Sequence, residues 1–121
     1  MALAKLDVVA LDCPDPRALA GFYAGILGGE VEAEDAEWVV LKVPGGQTLA
    51  FQGVAGFTPP EWPRAHRNSQ QLHLDLTVED LDAAERGVLE LGAKVLDAED
   101  RSRSWRVYAD PAGHPFCLCA C

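Results

Sequence analysis

The alternation of apolar and polar residues is clearest in the middle of the chain. There the stretch from Gln70 to Val78 reads QQLHLDLTV, with a period of two. Its apolar positions are Leu72, Leu74, Leu76 and Val78, and its intervening positions are Gln71, His73, Asp75 and Thr77. This period is typical of a β-strand with one buried face and one polar face. We therefore predict a strand from Gln70 to Val78 that carries His73 and Asp75 on its polar face.

Two other segments have helical spacing, and each begins at an aspartate and ends at a glycine. The first helix is predicted after Asp15 and before Gly28, and the second after Asp80 and before Gly92. Aspartate is a favoured N-cap, and glycine accepts the positive φ that commonly ends a helix. The apolar positions of the two helices are Leu19, Phe22, Tyr23 and Ile26 in the first, and Leu81, Ala84, Val88 and Leu91 in the second.

Short apolar runs between turn residues predict the remaining strands. They are Lys5–Asp12, Glu30–Glu34, Trp38–Val43, Gln47–Gln52, Lys94–Asp97, Trp105–Ala109 and Pro115–Cys121. Two pairs of these strands form hairpins, one around Pro44-Gly45-Gly46 and one around Asp110-Pro111-Ala112-Gly113. Proline fixes one φ angle and glycine accepts a positive one, which together suit a tight turn.

The two halves of the chain repeat this order at an offset of about 65 residues. Each half reads strand, helix, strand, strand, strand, so we predict an α+β fold of two βαβββ units. The first unit spans residues 1–53, a proline-rich linker or lid spans 54–69, and the second unit spans 70–121. Because neither unit can bury its sheet face alone, we expect one domain with a curved mixed sheet around a concave cavity.

Composition narrows the class of protein. The chain has 121 residues, 49% of them apolar, and a formal net charge of −9. No apolar run approaches the length of a membrane span, so we expect a cytoplasmic protein without membrane contact. The acidic balance disfavours a nucleic-acid surface, which needs clustered Lys and Arg. It is compatible with a cationic ligand.

The four cysteines are predicted to be reduced thiols. They are Cys13, Cys117, Cys119 and Cys121. The last three occupy alternate positions of one strand, where neighbours make poor disulfide partners and spread over more than one metal's coordination sphere.

Four stretches together resemble the vicinal-oxygen-chelate superfamily, and within it the small bacterial glyoxalase-like domains. They are LDCPDPRALAGFYAGILGG (Leu11–Gly29), PPEWP (Pro59–Pro63), QLHLDLTVEDLDAA (Gln71–Ala84) and WRVYADPAGHPFCL (Trp105–Leu118). The superfamily contains glyoxalase I, extradiol dioxygenases, and fosfomycin- and bleomycin-resistance proteins. The resemblance implies a homodimer, and in the enzymes a divalent metal held by the first and last strands of each unit.

The ligand positions that this resemblance implies are Val8, Ala50, His73 and Cys117. Since Val8 and Ala50 have no donor atom, we expect neither glyoxalase I activity nor a catalytic metal, and no other cofactor. If a divalent metal does bind, its ligands are predicted to be His73, Cys117 and Asp75.

Strand alternation and the linker define the predicted ligand-binding residues. They are Gln52, Trp62, Gln71, His73, Asp75, Cys117 and Trp105. For Trp62 the alternatives are a lid over the cavity and a plug in the core, and for Trp105 a cavity wall and core packing. The mixed sheet face could instead be covered by a partner chain.

Two functions are compatible with this pattern. The first is binding of a small organic molecule without a metal, similar to the bleomycin-resistance branch. The alternative is an enzyme acting on a small molecule in the same cavity. It would be a metal-assisted lyase, isomerase or dioxygenase, or a metal-free enzyme in which Cys117 and His73 act as nucleophile and base and Asp75 orients the imidazole.

Overall fold

The computed structural model describes residues 2–62 and 68–120, which form two βαβββ units. The elements of the first unit are β1 (Val9–Cys13), α1 (Pro16–Leu27), β2 (Glu30–Ala33), β3 (Trp38–Lys42) and β4 (Leu49–Gly53). Those of the second are β5 (Leu74–Thr77), α2 (Leu81–Leu91), β6 (Lys94–Asp97), β7 (Trp105–Ala109) and β8 (Pro115–Cys119). The α+β class and the βαβββ repeat are confirmed.

The helix ends follow the sequence signals. The Asp15 carboxylate accepts a hydrogen bond from the Ala18 N–H at 3.1 Å. The Asp80 carboxylate accepts two, from the second and third residues after it, at 3.0 and 3.1 Å. Gly28 and Gly92 follow the two helices with φ of 74° and 115°. Residues that carry a Cβ atom rarely adopt such positive φ angles.

The sheet of the first unit has the strand order β1-β4-β3-β2, with β1 parallel to β4 and the other pairs antiparallel. Alternate residues of β1 and β4 are buried on the side of α1. They are Leu11, Cys13, Leu49 and Phe51. They pack with the buried helix residues Leu19, Ala20, Phe22 and Tyr23, and the rings of Tyr23 and Phe51 stack at 5.9 Å. The first helix therefore rests on apolar contacts.

The sheet of the second unit has the equivalent order β5-β8-β7-β6, but α2 rests on an ionic cluster. Arg106 of β7 is only 4% exposed, and its Nη2 lies 2.9 Å from the Asp82 carboxylate. Glu85 accepts hydrogen bonds from the Tyr108 hydroxyl at 2.7 Å and from Arg101 at 3.2 Å. We call Asp82, Glu85, Arg101, Arg106 and Tyr108 the ionic cluster.

The predicted apolar stripe of α2 is therefore only partly correct. Within α2, all of which is described, Val88 alone is buried, while Leu91 is 41% exposed. Glu85 takes an inward position one residue after Ala84, because the sheet beneath presents a guanidinium and a phenol rather than apolar side chains.

The strand predicted from Gln70 to Val78 is shorter in the structure. It spans Leu74–Thr77, and Leu72 is 51% exposed instead of buried. Leu74 pairs with Phe116, so the next pairing would be with Pro115. Proline has no N–H to donate, which ends the ladder at that point. His73 thus precedes the strand and does not lie within it.

Other strand ends also differ from the prediction. The first strand begins at Val9 instead of Lys5 and continues to Cys13, so Val8 precedes it. The last strand ends at Cys119, and Cys121 lies outside the described residues. Cys13, Cys117 and Cys119 form no disulfide with one another.

The chain divides into two compact units, Met1–Phe57 and Thr58–Cys121, at a point inside the segment predicted as a linker. Each unit contributes one helix to the described part of the chain, of 12 and 11 residues. Neither helix has the length and apolar character that crossing a lipid bilayer requires.

The ionic cluster predicts that acid pH destabilises the protein. A hydrogen bond from Arg106 and the charge of its guanidinium hold the pKa of the Asp82 carboxyl below its ordinary value. Burial would raise the pKa of Glu85, but the hydrogen bonds from Tyr108 and Arg101 outweigh it and hold that pKa below 4.5. Carboxylates with lowered folded-state pKa values contribute stability that is complete above the unfolded values and is lost as pH falls through the folded ones.

We therefore expect the free energy of unfolding to decrease when the pH is lowered below about 4.5. Glu85→Gln should lower it by about 1–2 kcal/mol at pH 7 and flatten its decline in acid. Urea denaturation at several pH values measures both effects. Glu90→Gln, an exposed glutamate on the same helix, is the matched control. Equal pH profiles for the two variants would contradict a stabilising role of the cluster.

Candidate functional site

Strand pairing separates the two faces of the second sheet. In β7 and β8, Trp105 lies opposite Cys119, and Val107 lies opposite Cys117. The alternate residues Arg106 and Tyr108 contact α2. Because successive side chains of a strand point to opposite faces, Trp105, Cys117 and Cys119 lie on the face away from the helix.

A cavity of about 410 Å³ lies on this face. Its lining residues are Trp62, His73, Asp75, Trp105, Cys117 and Cys119. We call this cavity the aromatic pocket. All six residues belong to the second unit, and five of them are among the seven predicted ligand-binding residues.

The other two predicted residues are not among those that line this pocket. Gln52 is an exposed residue of β4, in the first unit. Gln71 is exposed in a bend before β5 and does not line the pocket. The predicted alternation would have aligned Gln71 with His73, but the strand begins only at Leu74, so alternation no longer governs Gln71.

A polar cluster forms one wall of the aromatic pocket. His73 Nε2 lies 3.2 Å from Asp75 Oδ1. One ligand atom from each of His73, Asp75 and Cys117 lies within 4.8 Å of the other two. Asp75 is opposite Cys117 in the parallel pairing of β5 and β8, which accounts for this convergence. An imidazole, a carboxylate and a thiol at this spacing suit the three protein ligands of a zinc site with one open position.

Cys117 is buried, and its environment keeps it protonated. Burial is the main cause that raises the pKa of its thiol to about 12, and the charge and hydrogen bonding of Asp75 act in the same direction. The thiolate is the form that attacks electrophiles and ligates metals. Cys117 is thus a weak nucleophile at neutral pH, and a metal would have to displace its proton.

The two indoles of the pocket are held by different contacts. The rings of Trp62 and His73 stack with centroids 5.8 Å apart and planes at 10°. The guanidinium carbon of Arg103 lies 3.8 Å from the ring centroid of Trp105. Arg103 also donates to both carboxylate oxygens of Asp97, at 3.1 and 3.3 Å, which fixes the cation over the indole.

Sequence reasoning missed Arg103, which lies between the predicted strands Lys94–Asp97 and Trp105–Ala109. The available signal was its position two residues before Trp105 at the start of a strand, but its partner Asp97 is on another strand. Trp62, for which a lid and a core plug were the alternatives, is half-buried in the pocket wall. Residues 63–67 of the predicted linker, which include His66, lie outside the described residues.

The sequence profile of the family described as "Glyoxalase-like domain" matches residues 8–119. This match spans both βαβββ units and includes every residue of the aromatic pocket. No curated protein sequence matches the chain.

Solved structures share the fold at low sequence identity. A glyoxalase/bleomycin resistance protein/dioxygenase family enzyme from Burkholderia phytofirmans PsJN is 16% identical, with a TM-score of 0.72 over 95% of this chain and 97% of that one. A glyoxalase-related enzyme from Fulvimarina pelagi is 21% identical, with a TM-score of 0.68 over 98% and 89%. TnmS3, an antibiotic binding protein from Streptomyces sp. CB03234, is 20% identical, with a TM-score of 0.61 over 99% and 98%.

The environment of Cys117 predicts slow alkylation of its thiol. At pH 8 we expect iodoacetamide to modify Cys117 at least about 100-fold more slowly than a free cysteine, because so little thiolate is present. Peptide mapping by mass spectrometry gives the rate at each cysteine. The same measurement in urea is the control, since unfolding should bring the rate to that of a free thiol. Fast alkylation of Cys117 in the folded protein would contradict this prediction and support Cys117 as a nucleophile.

The contact between Arg103 and Trp105 predicts that Arg103 limits the motion of the indole. In a Trp38→Phe, Trp62→Phe background, Arg103→Met should increase acrylamide quenching of the remaining Trp105 fluorescence. The variant keeps the apolar stem but loses the cation and the pair with Asp97. Arg101→Met, which removes an arginine paired with Glu85 instead, is the control. Equal quenching in both variants would show that Arg103 does not hold the ring.

Proposed function

Because the chain belongs to the glyoxalase-like domain family, we propose that it binds a small organic molecule in the aromatic pocket without a catalytic metal. The observation that carries this proposal is the pairing of two indole walls with one polar cluster around a cavity of about 410 Å³. Small-molecule sites are typically concave and mostly apolar, with a few polar groups that fix orientation.

In this proposal the indoles of Trp62 and Trp105 contact the flat apolar part of the ligand, and the Asp75 carboxylate accepts a hydrogen bond from it. The Nε2 atom of His73 lies 3.2 Å from one oxygen of that carboxylate. The stacking of Trp62 on His73 and of Arg103 on Trp105 supports a pocket that is already ordered, which lowers the entropic cost of binding. The antibiotic-binding relative TnmS3 is consistent with a binding role on this fold.

Two features favour binding over chemistry. The superfamily positions in the first unit are Val8 and Ala50, which offer no ligand atom. In the second unit, His73 Nε2 lies 3.2 Å from the Asp75 carboxylate. The raised pKa of Cys117 keeps its thiol protonated. A nucleophilic Cys117 would need a base to remove its proton against the adjacent charge of Asp75.

A metal-dependent enzyme is the second candidate function. It is favoured by the convergence of His73, Asp75 and Cys117, whose ligand atoms lie within 4.8 Å of one another. This donor set suits Zn²⁺ or another divalent transition metal, which would supply a Lewis acid at the polar wall of the pocket. The substrate would then bind between the same indoles.

The resemblance also supports a homodimer, which we include in the proposal together with the cytoplasmic location expected from the sequence. Size-exclusion chromatography with light scattering measures the assembly. A monomer at micromolar concentration would remove the dimer from the proposal and leave the pocket, which lies within one unit, unaffected.

The first test is metal content and metal binding. We expect tag-free protein to contain no stoichiometric transition metal and to show no change in melting temperature with zinc, nickel, manganese or iron(II). His73→Ala is the control, because it removes one of the three ligand atoms. Near-stoichiometric metal that is lost in this variant would favour the enzyme over the binding protein.

The second test is binding of a neutral flat probe, N-phenyl-1-naphthylamine, whose fluorescence rises in apolar surroundings. Trp62→Leu and Trp105→Leu should each weaken its binding about fivefold, since each removes one aromatic contact. Trp38→Leu, which alters a tryptophan of the first unit, should not. Equal effects of all three substitutions would contradict binding in the aromatic pocket.

A further inference from the structure

We infer that the ligand of the aromatic pocket is a planar organic cation, recognised by the Asp75 carboxylate and the two indoles. This inference rests on the proposed function and adds the chemical class of the ligand. It follows from the Asp75 carboxylate, which lines the pocket, and from the Arg103 guanidinium, which does not.

Asp75 is the charged group of the pocket wall. Of the described residues that line the pocket, none is a lysine or an arginine. His73 lies on the same wall, with its Nε2 3.2 Å from Asp75 Oδ1. The Asp75 side chain is 63% exposed, so its remaining lone pairs are accessible to a ligand.

Arg103 does not reverse this charge. It lies close enough to Cys117 to affect the thiol electrostatically, but Asp97 accepts hydrogen bonds from both of its terminal nitrogens. A bidentate pair of this kind is neutral overall and has its donors directed at the carboxylate. Arg103 covers one face of Trp105 and is not a lining residue of the pocket.

The aromatic walls favour the same class of ligand. Indole has the most negative ring face of the natural side chains, so it attracts a cation placed over it. A planar cation can stack its ring on Trp62 or Trp105 and direct its charge to Asp75 in one pose. A neutral ring would gain only the stacking. An anion would be repelled by the Asp75 carboxylate, and no lysine or arginine among the described lining residues would offset that repulsion.

The charge of the whole chain acts in the same direction. The formal net charge is −9, which raises the local concentration of cations at the surface and lowers that of anions. This long-range effect is screened by salt, whereas a contact between ligand and Asp75 is screened less. The two contributions can therefore be separated experimentally.

The test compares three probes of similar shape: 1-methylquinolinium, its neutral isostere 1-methylnaphthalene, and the anion 1-naphthoate. Each is measured by displacement of N-phenyl-1-naphthylamine, at low and at physiological ionic strength. We expect the cation to bind about fivefold more tightly than the neutral isostere at physiological ionic strength, and the anion to bind most weakly.

Asp75→Asn keeps the shape of the side chain but removes the charge. It should abolish the preference for the cation over 1-methylnaphthalene. Glu79→Gln removes a nearby exposed carboxylate that does not line the pocket, and it should preserve the preference. This pair separates a contact with Asp75 from the general acidity of the protein.

Three other results would contradict the cationic ligand, the role of Asp75 or the proposed function. Equal binding of the cation and the neutral isostere, or tighter binding of the anion, would refute the cationic ligand and leave small-molecule binding intact. A cation preference that survives Asp75→Asn would refute recognition by that carboxylate. If no probe binds, including N-phenyl-1-naphthylamine, the proposed function itself fails.

Discussion

The parallel pairing of β5 with β8 is the constraint on which the second unit depends. Its register places Asp75 opposite Cys117 and Leu74 opposite Phe116. A slip of one residue would turn every side chain of β5 to the other face, sending Asp75 toward α2 and Leu74 toward the pocket. The convergence of carboxylate, thiol and imidazole is thus a consequence of register, and Pro115 helps to fix it by ending the ladder before His73.

The same sheet carries opposite chemistry on its two faces. Toward α2 it presents Arg106 and Tyr108, whose partners are carboxylates of the helix. Away from α2 it presents Trp105 and Cys117, which line the pocket. Burial of an arginine has a large desolvation cost, and the paired carboxylates offset it. The second unit therefore places a charged layer under its helix and an aromatic layer around its site, whereas the first unit has an apolar layer under α1.

Sequence patterns predicted those features that depend on local spacing. The caps at Asp15 and Asp80 follow from the preference for aspartate at helix starts, and the repeat follows from the order of the predicted elements. The grouping of His73 with Asp75 follows from the strand period of two residues. Features that depend on pairing between distant residues were not predictable in this way. Arg103 reaches Trp105 only because Asp97 holds it, and Arg106 is buried only because α2 supplies Asp82 and Glu85. Leu72 is exposed because the strand begins later than its own alternation indicates.

Comparison of the two units separates the contribution of the fold from that of the side chains. β1 pairs with β4 as β5 pairs with β8, and the pair Ala10 and Ala50 in the first unit corresponds to Asp75 and Cys117 in the second. The backbone arrangement is the same, so the fold alone does not create the polar cluster. Two alanines in one copy, and an acid and a thiol in the other, place the polar cluster in the second unit. A protonated thiol beside a carboxylate suits recognition better than reaction, and recognition is the role that requires no contribution from the alanine positions.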